Sequence, residues 1–165
     1  MTSRRFEGRV AIVTGAASGI GAAIAHRFVF EGASVFATDV QTEKGEAVAS
    51  ACGADFRSLG VADASAWDAL IAEVGERRGR LDILVNNAGI LRKGGIEDLD
   101  LIAWNRRFAV NVDGVMLGCR AAIGLIKRNH DPYGGVIINT SSTAAFGAIA
   151  GDVAYTASEA AVHML

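Results

Sequence analysis

The sequence predicts an α/β domain with a doubly wound parallel sheet. Short apolar stretches rich in β-branched residues alternate with stretches whose apolar residues recur at the helical period, and this alternation is typical of parallel strands joined by crossover helices. The chain has 20 glycines, mostly at the ends of apolar runs, and a single proline, which indicates many turns and no proline-rich linker. We therefore expect one domain over residues 1–165, with the strand order 3-2-1-4-5.

The predicted elements follow one another without an internal repeat. Five short segments are predicted as strands, at residues 9–13, 34–38, 54–59, 81–85 and 136–139. The predicted helices are at residues 22–29, at 41–51, from Asp63 or Ser65 to about Gly75, at 101–129, and from the end of the loop 140–152 to residue 165. The carboxyl ends of parallel strands meet at one edge of the sheet, which is where ligands of such folds bind.

A glycine-rich turn joins the first strand to the first helix. The turn contains Gly15, Gly19 and Gly21, and it also includes Ser18 and Ile20. The start of a helix offers unpaired N–H groups and a partial positive charge, and glycine lets a phosphate group come close to the backbone. The turn is therefore a candidate phosphate-binding site, although a tight turn without a ligand would have the same glycines.

An acidic residue at the end of the second strand favours a dinucleotide as the ligand. Asp39 follows the turn by about 20 residues, where a dinucleotide-binding fold places the acid that holds a ribose hydroxyl. A carboxylate there also repels a 2′-phosphate, and Ala16, Ala17 and Val40 bring no positive charge to hold one. The expected cofactor is therefore NAD, and NADP is less favoured.

Composition and charge exclude several other classes of protein. The net charge is −2 with acids and bases interspersed, which argues against a nucleic-acid-binding surface. We identify no apolar run as long as a membrane span and no apolar segment of a secretory signal at the N-terminus. Cys52 and Cys119 form no CxxC pattern and are expected to be reduced in a cytoplasmic protein. The histidines (His26, His130 and His163) lack metal-ligand spacing, so no metal site is expected.

Two motifs together resemble the short-chain dehydrogenase/reductase family. Residues 14–21 read Thr-Gly-x-x-x-Gly-Ile-Gly, and residues 86–89, after the fourth strand, read Asn-Asn-Ala-Gly. The second motif alone could be an ordinary turn, but it stands where the family has the same sequence. The resemblance covers the whole chain and implies a Rossmann fold. It implies cofactor binding by Gly15, Ser18, Gly19, Ile20, Gly21, Asp39, Val61, Asn87, Ala88 and Gly89.

The same resemblance implies three catalytic residues. The family has a serine and a tyrosine thirteen residues apart, and Ser142 and Tyr155 have this spacing. A tyrosine hydroxyl has an ordinary pKa of about 10, so it needs a nearby cation that lowers this pKa if it is to act as an acid or base at neutral pH. Asn111 matches a family asparagine that perturbs the long helix and holds a water for proton relay. Simpler roles are a turn cap for Ser142, an amphipathic-helix position for Tyr155 and a hydrogen-bonded core position for Asn111.

The chain departs from the family one helical turn after the tyrosine. The family motif is Tyr-x-x-x-Lys, but Glu159 stands at the lysine position. In the family this lysine holds the nicotinamide ribose and lowers the pKa of the tyrosine. A charge about 4 Å away at an effective dielectric constant near 20 changes that pKa by about 3 units, and a glutamate reverses the sign. We therefore expect little or no hydride transfer by this chain.

Two further departures concern the cofactor site and the length. Gly60 precedes Val61 where the family usually has an aspartate that contacts adenine, so that contact is lost. The family's later strands and substrate loop do not follow residue 165, so we expect a domain that is incomplete at the C-terminus, as a truncated product would be. The fifth strand would then be an open edge, and a chain of this length would be poorly stable and prone to associate.

The sequence therefore predicts an NAD-dependent oxidoreductase that interconverts a secondary alcohol and a ketone with Tyr155 as the acid or base. A catalytically inactive NAD-binding module, which Glu159 favours, and a structural or pairing role through the long helix are the alternatives. The expected partner is a small-molecule alcohol or ketone, not a nucleic acid or a membrane. The family resemblance implies a homodimer or homotetramer for the full-length protein.

Overall fold

A parallel five-stranded sheet forms the centre of the protein. The computed structural model describes residues 4–91, 93–129 and 134–165. The strands are β1 (Val10–Thr14), β2 (Ser34–Asp39), β3 (Asp55–Ser58), β4 (Ile83–Asn86) and β5 (Val136–Asn139). Their order across the sheet is β3-β2-β1-β4-β5, which confirms the predicted fold class and strand order. His130 and the first three residues lie outside the described part of the chain.

Helices connect the strands and cover the sheet. They are α1 (Gly19–Phe30), α2 (Thr42–Cys52), α3 (Ala64–Arg78), α4 (Leu101–Phe108), α5 (Gly114–Ile126) and α6 (Val153–His163). Asp63, rather than Ser65, caps α3, because its carboxylate accepts the Ser65 and Ala66 N–H groups. The predicted end of α3 at Gly75 is wrong. The helix continues to Arg78, and Gly79 ends it with φ +71°.

The predicted helix 101–129 is shorter and is interrupted. A π-helical turn, Ala109–Asp113, separates α4 from α5, and α5 ends at Ile126. Contrary to the prediction that no apolar run is long enough to span a membrane, Leu101–Ile126 passes that test by length and composition alone. Buried residues of α5, among them Leu117 and Leu125, pack in the core, and this packing accounts for part of the apolar composition.

The central strands are buried on both faces. All five residues of β1 are buried, and successive side chains point to opposite sides of the sheet. Ile12 belongs to a core cluster with Trp67 and Leu125, whereas Val13 packs in a second cluster with Ala25 of α1. This two-sided burial explains why the strands read as continuous apolar runs.

The register brings the carboxyl ends of the strands together. Thr14 pairs with Thr38, and Asn86 pairs with Asn139. The segments that follow β1, β2, β4 and β5 therefore leave the sheet along one edge, as the sequence predicted. At the side of the sheet, β5 is an edge strand whose Val136 and Ile138 are 46% and 44% exposed.

Candidate active site

The turn after β1 is so tightly packed that three of its positions exclude a side chain or require glycine. Gly15 and Gly19 have φ values of +67° and +55°, which L side chains rarely adopt. A Cβ atom on Gly21 would lie 2.1 Å from the Gly15 carbonyl oxygen, and one on Gly15 would lie 2.9 Å from the Ala88 Cα atom. The backbone of the turn is therefore open to a ligand at the start of α1, and the residues present fit a bound pyrophosphate.

Asp39 lies beside this turn with its carboxylate already oriented. Oδ2 accepts the Ala17 N–H at 3.1 Å, and Oδ1 accepts the Gln41 N–H at 2.9 Å. The residue is 9% exposed and lines the cleft above the turn. A carboxylate has about four acceptor positions, so both oxygens retain capacity to accept ribose hydroxyls.

The loop after β4 is fastened to the glycine turn by Thr14, a residue to which the sequence analysis gave no role. Its hydroxyl oxygen accepts the Asn87 N–H at 2.9 Å and the Ala88 N–H at 3.0 Å, and the hydroxyl donates to the Val85 carbonyl at 3.3 Å. The Asn87 side-chain amide donates to the Thr14 carbonyl at 2.9 Å. A threonine at the last position of a buried strand was the available sequence signal, since a buried hydroxyl needs partners.

These residues enclose a cleft of about 460 Å3 at the carboxyl edge of the sheet. Arg106 of α4 and Val110 of the π-helical turn, which the sequence analysis did not single out, also contribute to its wall. All ten residues predicted to bind the cofactor line this cleft, namely Gly15, Ser18, Gly19, Ile20, Gly21, Asp39, Val61, Asn87, Ala88 and Gly89.

A second cavity, of about 350 Å3, adjoins the cleft. The two spaces share lining residues in the glycine turn and in the loop after β4, including Ile20 and Asn87. The three residues predicted for catalysis, Asn111, Ser142 and Tyr155, line the second cavity, and so does Glu159, which stands at the family's lysine position. The structure thus brings the two predicted groups of residues into neighbouring spaces that one extended ligand could occupy.

Asn111 lies in the π-helical turn and is 3% exposed. Its Oδ1 accepts the Ile90 N–H at 2.9 Å, and its Nδ2 donates to the Ile90 carbonyl at 3.1 Å and to the Ser158 hydroxyl at 3.2 Å. The side chain therefore connects the loop after β4 with α6. The helix perturbation that the family resemblance implied at this residue is present, and π-helical turns are frequent at functional sites.

Ser142 and Tyr155 stand at the two ends of the loop between β5 and α6. The Ser142 oxygen accepts the Ala144 N–H at 3.2 Å, so the turn-capping role that the sequence left open is present, and its hydroxyl proton remains available to a ligand. Tyr155 is in the first turn of α6 and is partly buried. The neighbouring Ser141 is turned towards α6, where its hydroxyl donates to the Glu159 carbonyl at 3.1 Å.

Glu159 is 6% exposed, and burial raises the pKa of its carboxyl group while the Ser141 hydroxyl acts in the opposite direction. Two other buried carboxylates have cations beside them. The Glu31 Oε1 atom lies 2.8 Å from Arg5 Nη2, and the Asp82 Oδ1 atom lies 2.9 Å from Arg9 Nη1. Within residues 4–91, 93–129 and 134–165, Glu159 has no such ion pair.

Comparison with known proteins places these features in context. A family model described as short chain dehydrogenase matches residues 9–165. A D-threitol dehydrogenase from Mycolicibacterium smegmatis is 43% identical over 160 residues, which cover 94% of this chain and 60% of the relative. A 3-alpha-(or 20-beta)-hydroxysteroid dehydrogenase from Mycobacterium tuberculosis is 42% identical over 168 residues, which cover 99% of this chain and 62% of the relative.

The fold comparison agrees with the sequence comparison. The crystal structure of a short chain dehydrogenase from Mycobacterium smegmatis matches with a TM-score of 0.90 at 32% identity, covering 97% of this chain and 69% of that one. The chain thus spans about three fifths of the length of the two relatives described above.

Proposed function

The chain belongs to the short-chain dehydrogenase family, and from this premise we propose that it is an NAD-dependent oxidoreductase that interconverts a secondary alcohol and a ketone. One arrangement supports the proposal above all: the predicted cofactor residues line one cleft, and the predicted catalytic residues line the cavity that adjoins it. The relatives are named as dehydrogenases of D-threitol and of hydroxysteroids, so the proposed substrate is a small-molecule alcohol or ketone.

The cleft fits a dinucleotide along its length. We assign the pyrophosphate to the N–H groups of the turn around Gly19 and Gly21, and one ribose to Asp39. Among the described residues that line the cleft, the charged ones are Asp39 and Arg106, and the carboxylate of Asp39 would repel a 2′-phosphate. This charge distribution supports NAD over NADP. When bound, the nicotinamide ring supplies the hydride acceptor or donor that the reaction requires.

The second cavity supplies the groups that handle the substrate oxygen. We assign proton transfer to the Tyr155 hydroxyl and assign the Ser142 hydroxyl to a hydrogen bond that orients the substrate oxygen. Asn111 holds the loop of Ile90 and the helix of Ser158 in place and is a positioning residue in this scheme. These groups come from three different segments, which the fold brings to one cavity.

Glu159 disfavours proton transfer by the Tyr155 hydroxyl. A carboxylate one helical turn after Tyr155 stabilises the protonated phenol and so disfavours its role as a base. We therefore propose that hydride transfer by this chain is slow, and that an NAD-binding module without catalysis is the second candidate function. Glu159 is the observation that favours this second candidate.

Membership of the family also supports proposals about the domain organisation and the oligomeric state of the whole protein. We propose that residues 1–165 form a single dinucleotide-binding domain and that the full-length protein is a cytoplasmic homodimer or homotetramer. The exposed apolar residues of α4 support pairing through the long helix, since Leu101 and Ile102 are 77% and 82% exposed. No nucleic-acid or membrane partner is part of the proposal.

The deciding experiment compares the chain with its Glu159→Lys and Glu159→Gln variants. NAD binding is measured by titration, and turnover is measured with NAD and a panel of secondary alcohols. We expect NAD to bind to all three, and kcat to rise about 100-fold or more in Glu159→Lys because an ammonium group lowers the pKa of Tyr155. Adding Tyr155→Phe to Glu159→Lys should remove the gained turnover.

The possible outcomes distinguish the oxidoreductase from the non-catalytic NAD-binding module. An unmodified chain with an ordinary kcat, on the order of 10 per second, would contradict the proposed effect of Glu159. NAD binding without turnover in Glu159→Lys would favour the non-catalytic module. Absence of NAD binding in the unmodified chain and in both variants would refute the proposed cofactor site.

A further inference from the structure

Glu159 is a buried carboxylic acid at the wall of the second cavity. The side chain is 6% exposed and lines the second cavity. Glu31 and Asp82 are buried to a similar degree, but each has arginine partners, whereas no cation among the described residues pairs with Glu159. A buried charge without a partner is unfavourable, so Glu159 favours any cation that enters this cavity.

The proposed function determines what enters the cavity, and this inference rests on it. The glycine turn takes the pyrophosphate and Asp39 takes one ribose, so the other nucleoside of the dinucleotide extends across β1 towards β4 and β5. The second cavity lies on that side, because Asn87 follows β4 and Ser142 follows β5. The nicotinamide ring that would lie there is a cation in the oxidised cofactor and is neutral in the reduced cofactor.

We propose that Glu159 makes the site selective for the redox state of the cofactor, so that the protein binds NAD+ in preference to NADH. Within a cavity of about 350 Å3, the carboxylate of Glu159 and the positive charge of an oxidised nicotinamide ring would attract each other. At an effective dielectric constant near 20, this attraction changes the ratio of the two dissociation constants by about 10- to 100-fold.

The selectivity has a consequence for the direction of the reaction. Ligand binding and cofactor redox state are thermodynamically linked, so tighter binding of the oxidised form makes the bound oxidised cofactor harder to reduce by the same factor. On the protein, the equilibrium therefore shifts towards reduction of the ketone. Glu159 in this way biases the direction as well as the rate.

The test is a set of equilibrium titrations with NAD+, NADH and ADP-ribose, which lacks the nicotinamide. They are performed at pH about 9, several units above an ordinary carboxyl pKa, on the 165-residue chain and on Glu159→Gln. We expect the ratio Kd(NADH)/Kd(NAD+) to fall at least 10-fold in Glu159→Gln, mainly because NAD+ binds more weakly. The Kd of ADP-ribose should not change. Glu76→Gln, at an exposed position of α3, is the control variant and should keep the original ratio.

The outcomes distinguish this inference from the proposed function. If all three ligands bind and the ratio is the same in Glu159→Gln, the inference is overturned while the NAD site stands. If none of the three ligands binds to the folded chain, as judged by its circular dichroism, both fail. An equal loss of affinity for NAD+, NADH and ADP-ribose in Glu159→Gln would indicate altered packing and would also overturn the inference.

Discussion

Asn111 binds Ile90 as a neighbouring strand would, with its side-chain amide donating to the Ile90 carbonyl and its side-chain oxygen accepting the Ile90 N–H, at 3.1 and 2.9 Å. Ile90 belongs to the loop after β4 and lines both the cleft and the second cavity. One buried side chain therefore fixes the wall between the two spaces. The π-helical turn that carries Asn111 also holds α6, through the Ser158 hydroxyl.

Replacing Asn111 with alanine should destabilise both the fold and the wall between the cleft and the second cavity. The variant leaves the Ile90 N–H and carbonyl groups without their partners, and unpaired buried polar groups cost about 1–3 kcal/mol. We expect the free energy of unfolding in urea to fall by at least this amount. Asn105→Ala, at an exposed position of α4, should change it by less than about 0.5 kcal/mol. Equal effects of the two substitutions would contradict the role given to Asn111.

Gly21→Ala should be the more damaging of two glycine substitutions in helices. The new Cβ would lie 2.1 Å from the Gly15 carbonyl oxygen and 2.6 Å from the Asn87 side-chain nitrogen, so the backbone of the turn would have to move. We expect weaker NAD binding, measured by titration, and a lower melting temperature, with a loss of about 1–3 kcal/mol from overpacking.

The matched control for this substitution is Gly124→Ala in the last turn of α5. A Cβ at Gly124 meets nothing within 4 Å, and alanine favours the helix by about 0.5–1 kcal/mol relative to glycine. Its melting temperature should stay the same or rise. A Gly21→Ala variant that melted and bound NAD like the original chain would refute the close packing of the turn.

The order of the sheet was predictable because predicted strands and helices alternate along the whole chain, and both motifs fall at strand ends. Asp39 and the glycine turn were predictable for the same reason, since their spacing follows from one strand–helix–strand unit. The end of α3 was not, because Gly75 and Gly79 are both compatible with a helix end. The backbone conformation distinguishes them, because of these two glycines only Gly79 has a positive φ.

The details of the second cavity depended on contacts between distant segments. The period of apolar residues continues through 101–126 and does not reveal the π-helical turn at Asn111. The contact of Ser141 with Glu159 and that of Asn111 with Ser158 join residues 18 and 47 positions apart. Neither these contacts nor the burial of Glu159 can be recognised from its place in the sequence.

The stability of the domain should fall in acid partly through Glu73. The Arg57 guanidinium, assisted by Arg77, holds the pKa of the Glu73 carboxyl at about 2, against an ordinary value of 4.5. A carboxyl whose pKa is lower in the folded state stabilises the fold above pH 4.5, and this contribution is lost as the pH falls through about 2. Since Glu73 is 30% exposed, solvent screens the pair and the contribution is below about 1 kcal/mol.

Urea unfolding between pH 7 and pH 2.5 or so measures this contribution. The free energy of unfolding should fall less steeply with pH in Glu73→Gln than in the original chain, and the difference between the two should shrink in high salt. Asp68→Asn, at an exposed position of the same helix, should keep the original slope. A Glu73→Gln variant with that same slope would contradict the low pKa.

The choice between NAD and NADP should depend on the charge of Asp39. Asp39→Asn keeps the shape of the side chain and one oxygen that can accept the Gln41 N–H, but it removes the negative charge and one acceptor. Hydrogen bonds to charged groups contribute about 1.5–3 kcal/mol, so NAD should bind about 10- to 100-fold more weakly. NADP should bind more tightly than before because the repulsion of its 2′-phosphate is removed.

Titration of both nucleotides into Asp39→Asn and into the Asp68→Asn control gives the ratio of the two dissociation constants. If Asp39→Asn left this ratio unchanged, Asp39 would not set the cofactor preference, and the ribose would have to be held elsewhere in the cleft.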